Sequence, residues 1–140
     1  MVGYADENTA IRTLFNTGWG STTPIVYENE KYSPQAGTSF VSLHIRPDGA
    51  SQIELGDSNG VHFRHPGLIV VMIFTPPDQG NNAALVLADS AADIFRRQTS
   101  TFANGRILYR APNVEPLGIT DEGYFQVNVV IPYARDSYHV

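Results

Sequence analysis

One pentapeptide matches the spacing of a known nucleophile motif. Gly56-Asp57-Ser58-Asn59-Gly60 fits G-x-S-x-G, in which a sharp strand-to-helix turn exposes a serine above a parallel sheet. Pro66, Gly67 and an apolar run typical of a strand come soon after it, so no helix completes that turn. Asp, Ser, Asn and Gly are also the residues that favour turns. We therefore predict a β-turn, with a hydrolase that uses Ser58 as the minor alternative.

A pair of histidines follows this turn. His62 and His65, with Asp57 nearby, offer the nitrogen and oxygen atoms that transition metals bind. In an extended segment, residues three apart point to opposite faces, and the sequence supplies no third firm ligand. We therefore predict surface or interface histidines and neither a metal nor another cofactor.

Two carboxylates, Asp89 and Asp93, are four residues apart, so a helix would place them on one face, as acid–base chemistry can require. They lie opposite an apolar stripe, where solvated charges are normal for an amphipathic helix. None of these three constellations contains a complete set of reacting groups. We therefore predict that the protein is not an enzyme.

The apolar periodicity predicts two helices. Residues 7–16 carry apolar side chains at helical spacing, and Gly18 follows where a helix often ends. Residues 82–97 carry a longer apolar stripe, typical of a helix that packs on a sheet. Arg96 and Arg97 would close its last turn, where cations complement the helix dipole.

Most of the remaining chain predicts strands. Residues 68–74 are apolar on both strand faces, which suits a central strand covered on both sides by helices or by another subunit. Residues 40–45 and 52–55 flank Pro47-Asp48-Gly49 and predict a hairpin. A final strand over residues 124–133 alternates apolar and polar side chains.

These elements define the fold class. Two helices flanking a mostly antiparallel sheet give an α+β fold. A chain of 140 residues that is 42% hydrophobic and lacks repeats or linkers suits one compact core. We therefore predict a single domain over residues 1–140.

Composition restricts the compartment and the partners. The absence of cysteine fits a reducing cytoplasm, and the N-terminus shows no export signal. The longest apolar run, residues 68–74, is far shorter than the roughly 20 residues of a membrane helix, so we predict a soluble protein. The net charge is -5 and the Lys and Arg residues are scattered along the sequence, which argues against direct nucleic-acid binding.

The order of short motifs resembles the small tail-terminator, or tail-completion, proteins of long-tailed phages. The motifs span most of the chain and are structural in kind. They are Ala10-Ile11-Arg12 with Phe15, Thr17-Gly18-Trp19-Gly20, Thr23-Pro24-Ile25-Val26-Tyr27-Glu28-Asn29, Tyr32-Ser33-Pro34, Phe40-Val41, Gly105-Arg106-Ile107-Leu108-Tyr109 and Gln126-Val127-Asn128-Val129-Val130-Ile131-Pro132-Tyr133.

The resemblance implies a structural virion protein. Members form a ring of six identical subunits that caps the tail tube and joins it to the head-completion or connector proteins, leaving a central channel for DNA. The implied location is the virion, at the head–tail interface, after assembly in the host cytoplasm. An acidic chain would let DNA pass without specific binding. The alternatives are another head–tail connector or a tail tube component.

Subunit contacts are expected in the segments 28–38 and 133–140, which an internal fold explains least. Aromatic residues and arginine are enriched at protein interfaces. The candidate interface residues are Trp19, Tyr32, Pro34, His62, His65, Tyr133, Arg135 and Tyr138.

Overall fold

The computed structural model describes residues 3–33, 37–53, 61–77 and 80–139. Two helices and a largely antiparallel sheet confirm the predicted α+β fold. The helices are α1 (Tyr4–Trp19) and α2 (Asn82–Phe95). The strands are β1 (Ile25–Tyr27), β2 (Phe40–Pro47), β3 (Ser51–Gln52), β4 (Val61–Thr75), β5 (Thr99–Phe102), β6 (Gly105–Tyr109), β7 (Asn113–Ile119) and β8 (Phe125–His139).

The sheet is built around its two longest strands, β4 and β8. They are antiparallel in a continuous register from Val61↔His139 to Thr75↔Phe125. The strand order is β1-β2-β4-β8-β6-β5, with β3 beside the start of β4 and β7 beside the first half of β8. β1 runs parallel to β2, and the other described pairs are antiparallel. The predicted central strand at residues 68–74 is therefore confirmed.

The predicted hairpin of residues 40–45 and 52–55 is wrong. β2 pairs with the later part of β4, from Phe40↔Phe74 to Pro47↔Gly67. β3 pairs with the same strand nearer its start, at Ser51↔Arg64. β4 is long enough to hold both partners on one edge, so the turn between them joins two neighbours of β4. Residues 54 and 55 lie outside the described part of the chain.

The helix ends differ from the predicted ones. α1 continues past Gly18 to Trp19. Gly18 lies at the contact with α2, where an added Cβ would be 2.8 Å from Ile94 Cγ1. Gly20 follows the helix with a φ of 63°, a conformation that glycine adopts readily. α2 stops at Phe95, so Arg96 and Arg97 lie beyond its last turn and that prediction was wrong.

Both helices pack on the same face of the sheet. Phe15 stacks on Trp19 and on Phe95 with ring centroids 5.3 and 6.1 Å apart, which joins α1 to α2. The sheet side of this core is fully buried and consists of branched aliphatic residues from the central strands. These are Ile69, Val71, Ile73, Val127, Val129 and Ile131. Neither described helix covers the opposite face, so of the two kinds of cover expected for the central strand, helices or another subunit, helices supply it on one side.

Candidate functional site

A buried charged group lies beneath the first turns of α1. Arg135 Nε donates to Glu7 Oε1, and the Tyr133 hydroxyl donates to Glu7 Oε2, both at 3.0 Å. All three side chains are almost fully buried, Arg135 being 1% exposed. Burial, followed by the charge of Glu7, raises the pKa of the Tyr133 hydroxyl far above its ordinary value. This paired group excludes water and joins α1 to β8.

Because side chains alternate along a strand, Asp136 points to the other side of the sheet from Arg135. We call that side the open face. It carries the even-numbered residues of β4 and β8, since directly paired residues share a face. Two regions of this face, near opposite ends of β4, have a distinct chemistry.

The first region is the arginine cluster, formed by His62, Arg64, Arg106 and Asp136. The Asp136 carboxylate is fully buried and accepts hydrogen bonds from Arg64 Nε at 2.8 Å and Arg64 Nη2 at 3.2 Å. Arg106 Nε lies 4.0 Å and His62 Nε2 lies 3.4 Å from its two oxygens. Burial alone would raise the pKa of Asp136, but the bonds from Arg64 and the contact with His62 hold it below its ordinary value.

The arginine cluster has more cations than carboxylates. Arg64 and Arg106 share Asp136 while both guanidinium groups remain about half exposed. Two further arginines extend the surface: Arg46 pairs with Leu68 in the ladder, and the Arg110 amide bonds to Pro132 O in the same row of the sheet. The fold thus collects on one face arginines that are scattered along the sequence.

The second region is the aromatic patch, formed by Tyr32, Phe40, Phe74 and Tyr124. The Phe40 ring centroid lies 4.8 Å from Phe74, 5.1 Å from Tyr32 and 5.4 Å from Tyr124. These rings line a cavity of about 440 Å³ with Glu30 and Glu122 among its other lining residues. The patch therefore combines accessible apolar surface with carboxylates.

The aromatic patch continues onto the β7–β8 connection. A neighbouring hollow of about 450 Å³ shares Phe74 with it and adds Leu117, Ile119 and Asp121. Ile119 is 75% exposed. Adjoining exposed apolar surface of this kind, rimmed by charge, is typical of a protein contact site.

A serine and a histidine at the edge of this cavity form a hydrogen-bonded chain that sequence reasoning missed. Ser42 Oγ lies 2.7 Å from His44 Nε2, and His44 Nδ1 lies 3.5 Å from Glu28 Oε1. This is the order of groups in a nucleophilic triad. Ser42, however, is paired with Val26 on one side and with Met72 on the other, which uses its strand backbone in the ladder and supplies no oxyanion donor there.

The sequence contains a signal for the Ser42–His44 hydrogen bond, the spacing Ser42-x-His44, because residues two apart in a strand share a face. Glu28 was not predictable as the third member, since it comes from the segment after β1. Glu28 Oε1 also accepts the Ile45 backbone amide at 2.8 Å. The arrangement therefore ties that segment to β2.

The profile of the phage tail terminator protein family matches residues 8–133 of this sequence. The chain belongs to the phage tail terminator family. The match confirms the resemblance found in the sequence and identifies a structural protein of the phage tail, in a family that is not a family of enzymes. Membership also implies association with other tail or head proteins in the virion.

A solved structure supports the fold of this tail terminator family member. It superposes with a TM-score of 0.66, covering 95% of this chain and 98% of the other, at 16% sequence identity. Identity this low shows the shared fold alone. A comparison with curated protein sequences gives no match.

Four of the eight candidate interface residues of the tail terminator are buried in the subunit, namely Trp19, His62, Tyr133 and Arg135. Tyr133 and Arg135 belong to the buried charged group, and Trp19, 3% exposed, donates its indole N–H to Thr23 Oγ1 at 3.1 Å. β8 runs to His139, beyond the predicted end at residue 133, because β4 and β6 pair with its last third. The segment 133–139 is therefore part of the sheet.

The other candidates divide between the faces. Tyr138 is exposed on the open face and stacks on His62 with ring centroids 4.7 Å apart, while Tyr32 belongs to the aromatic patch. His65 lies on the helix side, its Nδ1 3.3 Å from the Tyr4 hydroxyl. The two histidines thus occupy opposite faces, as predicted. Pro34, Asp57 and Ser58 lie outside the described residues.

Within the described ranges, no group of three or more His, Cys, Asp or Glu residues has the geometry of a metal site. The helices found there are also too short or too polar to cross a membrane. Among the described surfaces, the open face combines exposed apolar side chains with charged groups in its two regions.

Proposed function

We propose that this chain, acting as one domain, is the subunit of a homohexameric ring that caps the tail tube and joins it to head-completion or connector proteins. The observation that carries the proposal is the family match across residues 8–133, which leaves little of the sequence for any other role. The number six and the named partners come from the resemblance to the family.

The size of the subunit suits several simultaneous contacts. Its accessible surface is 7950 Å², and two ring contacts of a standard size would each bury about 800 Å² of it. Most of the surface then remains for the tube on one side and head proteins on the other. Contacts of this size can be weak one at a time and strong when several act together, so the ring can close on the tube end.

DNA passes through the channel of this ring without specific binding. The net charge of -5 supports this part of the proposal, because a negative subunit repels a polyanion at long range. The ring assembles in the host cytoplasm, which the absence of cysteine supports, and remains in the virion at the head–tail interface.

The test is to produce tails with and without this protein and to image them by cryo-electron microscopy. With it, a single six-membered ring is expected at the head-proximal end of each tube. Without it, tubes should continue to grow, because no cap blocks further addition of tube subunits. Density repeated along the tube would instead indicate a tube component, and a single copy or a position outside the axial stack would contradict the proposal.

A further inference from the structure

The open face is electrically asymmetric from one end to the other. Arg64 and Arg106 mark one end, with Asp136 as the carboxylate that they share. Asp121 and Glu122, both exposed in the connection before β8, mark the other. No ion pair joins either of these two carboxylates to another residue of the described ranges. Each end therefore has charge that its own subunit does not neutralise.

The two ends are separated by a known length of strand. Arg64 and Phe74 are ten residues apart in β4, in an unbroken register with β8, which corresponds to roughly 33 Å. No side chain spans that distance, so the ends cannot neutralise each other within one subunit. Because strands twist about their own axes, the ends of so long a strand also turn away from each other.

Each end also offers apolar surface to the other. Tyr138 stands exposed beside the arginine cluster, stacked on His62. The aromatic patch at the far end encloses about 440 Å³, ample room for a tyrosine side chain. Tyrosine and arginine are among the residues that are enriched at the energetic hot spots of interfaces.

We propose that the two ends of the open face bind each other between successive copies of this chain. The exposed guanidinium of Arg106 binds Glu122 of the next copy, and Tyr138 enters that copy's aromatic patch. The inference rests on the proposed ring, since a contact between two different patches is head-to-tail and generates a ring when its rotation closes. It assigns to that ring the two surfaces that join its subunits.

The absence of cysteine allows a direct test in isolated tails. The double variant Arg106→Cys/Glu122→Cys is incorporated into tails and treated with a short bismaleimide. Head-to-tail neighbours should give a ladder of cross-linked products that extends beyond the dimer to the full ring. The matched control is Arg96→Cys/Glu122→Cys, because Arg96 and Arg106 have the same 52% side-chain exposure and Arg96 lies just beyond α2, away from the arginine cluster. This control should give no ladder.

Charge reversal tests the same contact without a cross-linker. Arg106→Glu and Glu122→Arg should each lower the occupancy of the ring on tube ends at least about tenfold, because each places like charges opposite each other. The double variant Arg106→Glu/Glu122→Arg restores opposite charges and should recover occupancy. Both positions are exposed, and circular dichroism with thermal melting verifies that each variant folds.

The outcomes separate this inference from the proposed function. Rings that cap tubes normally in every variant, without a ladder, would refute the contact and leave the ring in place. Cross-linked dimers alone would indicate a self-complementary contact and also refute it. If Arg106→Glu leaves rings intact but reduces DNA retention, the arginine cluster faces DNA instead. Absence of the wild-type protein from the tail axis would contradict the proposed function itself.

Discussion

Arg135 and Asp136 are consecutive residues of β8, yet they belong to charged groups with opposite designs. Arg135 is buried between α1 and the sheet, where it and Tyr133 both donate hydrogen bonds to Glu7. Asp136 is also buried, but the two arginines near it remain half in water. The first group has matched charges and no access to solvent. The second has surplus positive charge at the surface, so the two groups differ in their availability to a partner.

The largest expected effect on stability comes from disrupting the buried charged group of Glu7, Tyr133 and Arg135. Arg135→Met leaves the Glu7 carboxylate buried without its cation, which should lower the free energy of unfolding by about 3–5 kcal/mol. Urea denaturation monitored by circular dichroism measures this loss. The double variant Glu7→Leu/Arg135→Met removes both charges and should recover most of it, so an equal loss in both variants would contradict the role assigned to the pair.

Close packing around Tyr133 gives the next effect. An added Cβ at Gly67 would collide with the Tyr133 hydroxyl oxygen and lie 2.5 Å from its Cζ, so Gly67→Ala must displace the ring. We expect a loss of about 1–3 kcal/mol in the free energy of unfolding. Gly3→Ala is the control, since no other atom lies within 4 Å of its added Cβ. Equal denaturation midpoints for the two variants would show that the ring is not held in place.

The arginine cluster should respond less, and in a pH-dependent way. Asp136→Asn should cost about 1–2 kcal/mol, because the arginines that lose their partner remain hydrated. The pKa of Asp136 is lower in the folded state, so its contribution is present above the unfolded pKa near 3.8 and is lost as pH falls towards the folded value. Denaturation midpoints between about pH 5 and 2 should therefore fall more steeply for wild type than for Asp136→Asn. Parallel profiles would contradict this assignment.

The smallest effect is expected at Ser42. Ser42→Ala removes a half-buried hydrogen bond to His44 and should cost about 1 kcal/mol or less. Because Ser42 faces no oxyanion donor from its own strand, an active-site phosphonate should not label the wild-type protein, which mass spectrometry can verify. Labelling of Ser42 would indicate a catalytic site at this end of the open face. Labelling of Ser58 would support the alternative of a hydrolase that uses Ser58.

Local sequence patterns predicted the helices and strands, but they did not predict which strands pair across distant segments. The stripe of α2 and the alternation in β8 are periodic in the sequence, so both elements were found. The same alternation places Tyr133 and Arg135 in phase with the buried Val127, Val129 and Ile131, which is a signal in the sequence for burial within the subunit. β2 pairs with β4 and not with β3. The choice between these partners depends on distant segments of the chain, so the residues of the local turn do not predict it.

The candidate site was harder to predict than the fold. Arg46, Arg64, Arg106 and Arg110 look scattered because 64 residues separate the first from the last. They share a face only after β2, β4, β8 and β6 have taken their order in the sheet. The aromatic patch likewise joins side chains from four separate segments. Such surfaces depend on the order of strands in the sheet, so the sequence alone does not show which residues form them.

The position of β8 in the sheet controls when the subunit becomes competent to assemble. This strand, the last in chain order, lies between β4 and β6, and its residue 139 pairs with residue 61. Pairing over so long a separation forms late, since the chain must first lose the entropy of the closed loop. Within the sheet, β4 and β6 are joined through β8, so the arginine cluster does not exist until Asp136 has entered the sheet. A partly made subunit cannot present that surface to a neighbour.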